Sequence, residues 1–156
     1  MSTTNRFAEA VSLHREGRLR DAEVIYLEIV DRNPTHADAI HHLGLISLQA
    51  GSVDDAVRII REAISLDPRN AAAFSNLGLA YQKQGRLAEA DAQFERALEL
   101  KPDYPEAAFN RGNVQYLGGQ LEAALASYEL ALELRPGYAE AEANRRRTLG
   151  DLGRPA

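Results

Sequence analysis

Two stretches of the chain are nearly the same nineteen letters: GRLAEADAQFERALELKPD covers residues 85–103, and GQLEAALASYELALELRPG covers residues 119–137. The second begins 34 residues after the first (119 − 85 = 34). Three residue types keep this period along the chain, at Gly17, Gly51, Gly85, Gly119 and Gly153; Pro34, Pro68, Pro102 and Pro136; and Ala22, Ala56, Ala90 and Ala124. A shared period of this length predicts an array of equivalent units.

Each unit is predicted to be a pair of helices. In residues 71–84, apolar side chains such as Leu77 and Tyr81 recur at helical spacing. Gly85 follows, and glycine tolerates the left-handed conformation that ends many helices. A second amphipathic stretch then runs up to Pro102, which blocks continuation because proline lacks an N–H. No segment alternates polar and apolar residues as a half-buried strand does, so the predicted class is all-α.

The unit resembles the tetratricopeptide repeat, which has the same length and the same order of small and aromatic residues. The third unit carries the family's signature at Phe74, Leu77, Gly78, Tyr81, Ala90, Phe94, Ala97 and Pro102. Other units depart from it: Ser47 replaces an aromatic residue in the second, and Arg111 replaces a leucine in the fourth. The first unit diverges most, with Arg6, Glu9 and Ala10 at signature positions.

The resemblance implies an α-solenoid of nine helices with right-handed superhelical curvature: four helix-turn-helix units and a C-terminal capping helix. We expect one domain over residues 3–152, with a tail at 153–156. The units would be 3–36, 37–70, 71–104 and 105–138, followed by a capping helix at 139–152. In that helix Ala139, Ala143 and Leu149 are predicted to pack inward, with Arg145 and Arg146 in solvent.

Composition narrows the function classes. The chain has 156 residues, 45% of them apolar and 26% charged, which is typical of a globular protein. Its net charge of −5 argues against nucleic acid as the main partner. It has no cysteine, and no apolar run approaches the length that crosses a bilayer. We therefore expect a cytoplasmic protein that contacts neither nucleic acid nor membrane and needs no cofactor.

The resemblance also places the first helix of each unit on a concave groove. One column of that groove contains Asn76, Asn110 and Asn144, preceded by His42. Side-chain amides both donate and accept, so such a row can hold an extended peptide backbone. It is similar to the asparagine ladder in the repeat superhelix of O-linked N-acetylglucosamine transferases. In the alternative interpretation, these asparagines bond locally to turns or neighbouring helices.

Neighbouring columns would add apolar contacts and a polar rim to a peptide site. The remaining groove candidates are Phe7, Val11, Leu45, Leu48, Leu79, Gln82, Lys83, Phe109, Asn113 and Tyr116. An apolar patch on an open groove is typical of a partner site. For Leu45 and Leu79 the sequence favours core burial over ligand contact, and for Phe109 and Tyr116 it favours ligand contact.

One use of the family is not expected here. Members that grip the acidic C-terminus of heat-shock chaperones use lysine, arginine and asparagine at set first-helix positions. Phe7 and Val11 occupy two of these positions, and Glu106 stands where a basic residue would help. We therefore predict no strong binding to such tails.

No catalytic or metal site is expected. The chain contains no GxSxG, phosphate-binding loop or HExxH pattern. His36, Asp38, His41 and His42 lie within seven residues, but His41 and His42 project about 100° apart on a helix. Exposed polar residues on a first helix are the preferred interpretation of this group.

The sequence therefore predicts a non-catalytic scaffold that binds a peptide or protein segment. The alternative is the partner-targeting arm of a larger enzyme, such as a glycosyltransferase or methyltransferase. The final stretch GDLGRPA is compatible with a boundary of that kind. A further hypothesis is weak self-association, in which the end of one array stacks on another copy.

Overall fold

The structure is a computed structural model that describes residues 2–156. Within that range the chain forms nine α-helices and no strand. The helices are α1 Thr3–Arg15, α2 Leu19–Arg32, α3 Ala37–Gln49, α4 Val53–Leu66, α5 Ala71–Lys83, α6 Leu87–Leu100, α7 Pro105–Leu117, α8 Leu121–Leu134 and α9 Ala139–Asp151. The predicted all-α array of four helix pairs and a final helix is confirmed.

The helices fall into two compact units. Unit 1 contains α1–α4 and ends at residue 69, and unit 2 contains α5–α9 and begins at residue 70. Each first helix pairs with the second helix of its own repeat inside one unit, as α1 does with α2 and α5 does with α6. The single domain over residues 3–152 stays a prediction.

The turn inside each helix pair follows from one glycine. Gly85 has φ 74°, a left-handed conformation that a residue with a Cβ rarely adopts. Its N–H donates to Gln82 O, and the N–H of Arg86 donates to Tyr81 O at 2.9 Å. These bonds satisfy carbonyl groups that the end of α5 would otherwise leave free. The 34-residue recurrence of glycine is thus a recurrence of the same helix ending.

A second set of glycines lets the two helices of a pair approach closely. Gly78 on α5 faces Phe94 on α6, whose side chain is fully buried. A Cβ added at Gly78 would lie 2.8 Å from two atoms of that ring, closer than real Cβ contacts allow. Equivalent pairs are Gly112 with Tyr128 and Gly44 with Ile60. Glycine at these positions therefore allows the two helices of each pair to cross at close range.

The core of unit 1 packs α1 and α3 against α2. It contains Ala10, Ala22, Ile25, Tyr26, Ile29, Ala39 and Ile46. Tyr26 is fully buried, and its hydroxyl has no hydrogen-bond partner among the described residues. Burial raises the pKa of this hydroxyl to about 12, so the side chain remains neutral.

The last helix, α9, ends at Asp151, one residue before the predicted end, and has a different inward face. Leu149 is buried as expected, whereas Ala139 and Ala143 are exposed and Ala141 is fully buried. Arg145 is half-buried and forms an ion pair with Glu129, so it is not the solvent residue that we predicted. The reason is register: residue 141 continues the 34-residue series of buried alanines formed by Ala39, Ala73 and Ala107.

The arginine that departs from the repeat pattern has charged partners. Arg111 Nε lies 2.8 Å from Asp91 Oδ1 and its Nη2 lies 2.9 Å from Glu95 Oε1. Gln115 donates to the same oxygen of Asp91 at 3.1 Å, and Ser127 donates to Gln115 at 2.6 Å. The side chains of Arg111 and Asp91 are only 23% and 29% exposed. A half-buried polar network therefore joins α6, α7 and α8 where another repeat would have leucine.

We expect Arg111→Leu, which restores the signature residue, to lower the free energy of unfolding by about 1–2 kcal/mol, because Asp91 would lose its cation. Val57 occupies the position equivalent to Asp91 one repeat earlier. The double variant Arg111→Leu/Asp91→Val should therefore recover most of the loss. Urea denaturation of these two variants and of Asp91→Val alone measures the coupling between the two residues. Additive effects would mean that the two charges do not interact energetically.

Candidate peptide-binding surface

The predicted polar column lies on the first helices of unit 2. We call this surface the amide face and define it by the half-buried residues Asn76, Leu79, Gln82, Asn110, Asn113, Tyr116 and Asn144. On α5 the opposite side, with Leu77 and Tyr81, is buried. Helical geometry then turns Leu79 and Gln82 away from α6. Lys83 lies at the end of the same helix and is exposed.

Two polar side chains of the amide face, Asn113 and Asn144, form a hydrogen-bond network with Tyr128 of α8. Asn113 Oδ1 accepts two hydrogen bonds, one from the hydroxyl of Tyr128 and one from Asn144 Nδ2, each of 2.9 Å. Tyr128 is fully buried, so this network attaches the face to the core of unit 2. For Asn144 the arrangement matches the alternative of local bonding between neighbouring helices. Asn76 and Asn110 occupy the same column on α5 and α7 and are half-buried.

Tyr116 is held by two residues that sequence reasoning did not select. Its hydroxyl donates to Asp151 Oδ2 at 2.6 Å. The guanidinium of Arg147 lies over its ring, 4.4 Å from the centroid. The carboxylate of Asp151 raises the pKa of the Tyr116 hydroxyl by accepting its proton in a hydrogen bond. The signal for Arg147 was available, because residue 147 continues the 34-residue series of Val11, Leu45, Leu79 and Asn113.

Two groove candidates pack against their neighbours to different degrees. Phe109, for which we favoured ligand contact, packs against the buried cluster of Ala108, Ala131 and Ala141. Its ring centroid lies 5.0 Å from that of Tyr138. Leu48 in unit 1 is only 6% exposed. Leu48 is therefore covered by its neighbours, whereas Phe109 remains half-buried and its contact with a ligand stays a prediction.

The groove candidates of unit 1 surround a cluster of rings. The centroid of Phe7 lies 5.4 Å from that of His42, and the ring of Tyr26 lies 5.1 Å from His42. His14 lies 5.8 Å from His42, and its Nε2 lies 2.9 Å from Gln49 Oε1. Val11 and Leu45 are half-buried on the same helices. In unit 1 the predicted column is therefore aromatic rather than amide-rich.

The histidines are not the exposed residues that the sequence favoured. His41 is only 4% exposed. Burial lowers the pKa of its imidazole to about 4, and the neighbouring rings of His42 and His14 act in the same direction. Burial also lowers the pKa of His42, against the hydrogen bond to the backbone of Asp38. The neutral imidazole is thus the favoured state of both His41 and His42.

His36 caps the start of α3, where its Nδ1 accepts the N–H of Ala39 at 3.2 Å. Across residues 2–156 there is no group of three or more histidine, aspartate or glutamate side chains placed to hold a metal ion.

In the same part of the chain, none of the helices combines the length and the apolar character that crossing a bilayer requires.

Comparison with protein families gives two overlapping matches. A family described as "Tetratricopeptide repeat" matches residues 75–139, and one described as "TPR repeat" matches residues 44–85. Together they cover residues 44–139, more than half of the chain. Among curated proteins, no sequence matches it.

Solved structures with the same fold cover most of the chain. MamA has a TM-score of 0.83 and 22% identity, over 92% of this chain and 84% of that one. The first TPR of Spaghetti (RPAP3), bound to the HSP90 peptide SRMEEVD, has a TM-score of 0.74 and 27% identity, over 75% of this chain and 93% of its own. YrrB, described as a TPR protein with an unusual peptide-binding site, has a TM-score of 0.79 and 23% identity, over 97% and 78%.

Proposed function

This chain belongs to the tetratricopeptide repeat family, and from that premise we propose that it is a non-catalytic scaffold that binds a segment of another protein. Two proteins of the same fold support a peptide as ligand: the RPAP3 domain is bound to an HSP90 peptide, and YrrB is described as having a peptide-binding site. We place the ligand on the amide face of unit 2.

The observation that carries the proposal is the paired position of Asn76 and Asn110. The two amides occupy the same place on α5 and α7, 34 residues apart, and both are half-buried. An extended peptide has one backbone donor and one backbone acceptor per residue, and a side-chain amide can form hydrogen bonds with both. Such contacts hold a backbone without selecting its side chains, which suits a scaffold.

Side-chain anchors would come from the apolar members of the face. Leu79 on α5 and Tyr116 on α7 are half-buried, so a ligand side chain could cover area that is still open to solvent. Tyr116 has limited freedom, because Asp151 accepts a hydrogen bond from its hydroxyl and Arg147 lies over its ring. An anchor that is already ordered loses little conformational entropy when a ligand binds.

The hydrogen bond from Asn144 to Asn113 gives these two amides a different role. Their shared hydrogen bond orders the part of the amide face that lies on α9. The contacts with the ligand backbone are assigned to Asn76 and Asn110. The similarity of this column to the asparagine ladder of the glycosyltransferases stays a prediction.

A random peptide display library panned on the whole chain tests the proposal. We expect selected peptides to bind in isothermal titration calorimetry, and Asn76→Ala/Asn110→Ala to weaken them about tenfold or more, since each lost hydrogen bond is worth about 1 kcal/mol. The helical circular dichroism should not change. The matched control is Gln93→Ala on α6, which removes an amide from the second helix and should leave affinity unchanged.

Two results would count against parts of the proposal. If no peptide is enriched above background, peptide binding itself is wrong; if the double variant binds the selected peptides as tightly, the asparagines are not the contacts. An acidic chaperone-tail peptide serves as a further probe. Glu106 is already paired with Arg135 in unit 2, and we expect no micromolar binding to that tail.

A further inference from the structure

The outer side of α2 carries an exposed stripe that no described residue covers. Val24 and Leu27 are 56% and 53% exposed, and they are flanked by the exposed residues Arg20 and Asp31. At about 100° per residue, these four side chains lie within about 60° of one another around the helix. Ala22, Ile25, Tyr26 and Ile29, on the opposite side of α2, are buried in the core of unit 1.

The apolar pair is particular to α2. The equivalent positions are Arg58 and Arg61 on α4, Ala92 and Glu95 on α6, and Ala126 and Glu129 on α8. The other second helices therefore have charged or small residues where α2 has two branched aliphatic ones. Large apolar side chains exposed next to each other on a helix are typical of a partner surface.

The order of residues on the stripe is self-complementary. A cation, two apolar residues and an anion follow one another along it. The midpoint between residues 20 and 31 is also the midpoint between residues 24 and 27, so one twofold axis can relate both pairs. If a second α2 packs antiparallel, Val24 meets Leu27 of the second copy, and Arg20 meets Asp31 of the second copy. The twofold axis repeats both contacts, as an isologous interface requires.

The charges at the two ends are available for such pairing. Neither Arg20 nor Asp31 forms an ion pair with another residue in the range 2–156. Two acidic residues lie beside the stripe. Glu28 forms an ion pair of 2.6 Å with Arg6, and Glu23 is exposed to solvent. We propose that the stripe of Arg20, Val24, Leu27 and Asp31 is the contact of a weak, twofold-symmetric dimer of this chain.

The dimer is expected to be weak because a single pair of helices buries less area than a standard interface of about 1,600 Å². It depends on concentration and on salt, since its end contacts are exposed ion pairs. This inference does not depend on peptide binding by unit 2, because it uses only residues of α2.

Sedimentation equilibrium of the full chain, from micromolar to near-millimolar concentration, tests the inference. We expect a monomer–dimer equilibrium that Val24→Glu weakens at least about tenfold. The control is Ala92→Glu, which adds the same charge at the equivalent position of α6 and should have no effect.

Charge reversal identifies the orientation of the two helices. Arg20→Asp alone and Asp31→Arg alone place like charges opposite each other and should weaken the dimer, whereas the double reversal should restore it. Arg20→Asp places a negative charge at the start of α2, and Asp31→Arg places a positive charge at its end. Both changes are favourable for the helix dipole, so they should not impair folding. A constant monomer mass at every concentration would overturn the inference. So would a dimer that Val24→Glu and the single reversals leave unchanged, since it would use another surface.

Discussion

Phe94→Ala is expected to lower the free energy of unfolding by about 3–5 kcal/mol, the usual cost of removing a fully buried phenylalanine ring. Phe94 is 0% exposed, and its ring faces Gly78 across the α5–α6 pair. The ring fills the space that the glycine leaves, so truncation opens a cavity between two helices. Urea denaturation followed by circular dichroism measures the loss.

The same contact predicts that the effect of Gly78→Ala on the free energy of unfolding has opposite signs in the wild-type chain and in the Phe94→Ala variant. In the wild-type chain the new Cβ would lie 2.8 Å from a fully buried ring, so we expect destabilisation by about 1–3 kcal/mol. In Phe94→Ala the space is open, and alanine should stabilise α5 by up to about 1 kcal/mol.

Gly150 in α9 is the control for this pair, because a Cβ there meets nothing within 4 Å. Gly150→Ala should stabilise the protein by a few tenths to about 1 kcal/mol. If Gly78→Ala were neutral in the wild-type chain, the two helices would not approach as closely as the geometry requires.

The helices could be predicted because their signals are local. Gly85 ends α5 by its own backbone conformation, and Pro102 prevents continuation of α6 whatever surrounds it. The role of Gly78 can also be inferred from the sequence. Glycine inside a helix lowers its stability relative to alanine, so its presence indicates a position where another helix crosses closely. A period repeated through the chain then extends each local inference to every unit.

Exposure on the first helices could not be predicted in the same way. Leu48 and Tyr116 occupy equivalent positions, yet Leu48 is 6% exposed and Tyr116 remains half-buried with a hydrogen-bonded hydroxyl. The period gives the direction of a side chain on its own helix. Whether the side chain is covered depends on the size of residues on neighbouring helices, and these vary from unit to unit.

The polar contacts between repeats were missed for a related reason. Arg111 looked like a defect in the pattern because its partners Asp91 and Glu95 are on the preceding helix of the array. Asn144 looked like a ladder member because the bond to Asn113 depends on a residue 31 positions away. In such a pair, two residues that differ from the repeat pattern compensate each other. A single sequence shows the two differences but does not show that the residues are in contact.

Acidification is expected to destabilise unit 1 through His41. The pKa of this imidazole is about 4 in the folded chain, against an ordinary value of 6.5. The unfolded chain therefore binds the proton more tightly, and folding stability falls as the pH drops from about 6.5 to about 4. A difference of that size corresponds to about 3 kcal/mol, fully present above the upper value and lost below the lower one.

His41→Gln separates this effect from the titration of carboxylates, which both proteins share. Between about pH 7 and about pH 4, the wild-type free energy of unfolding should fall by about 3 kcal/mol more than that of the variant. His42 also has a lowered pKa and remains in the variant, so some shared loss in this range is expected. Urea denaturation at several pH values gives both curves. Parallel curves would mean that the His41 imidazole is protonated as easily in the folded chain as in the unfolded one, and that the ring cluster of unit 1 is open to water.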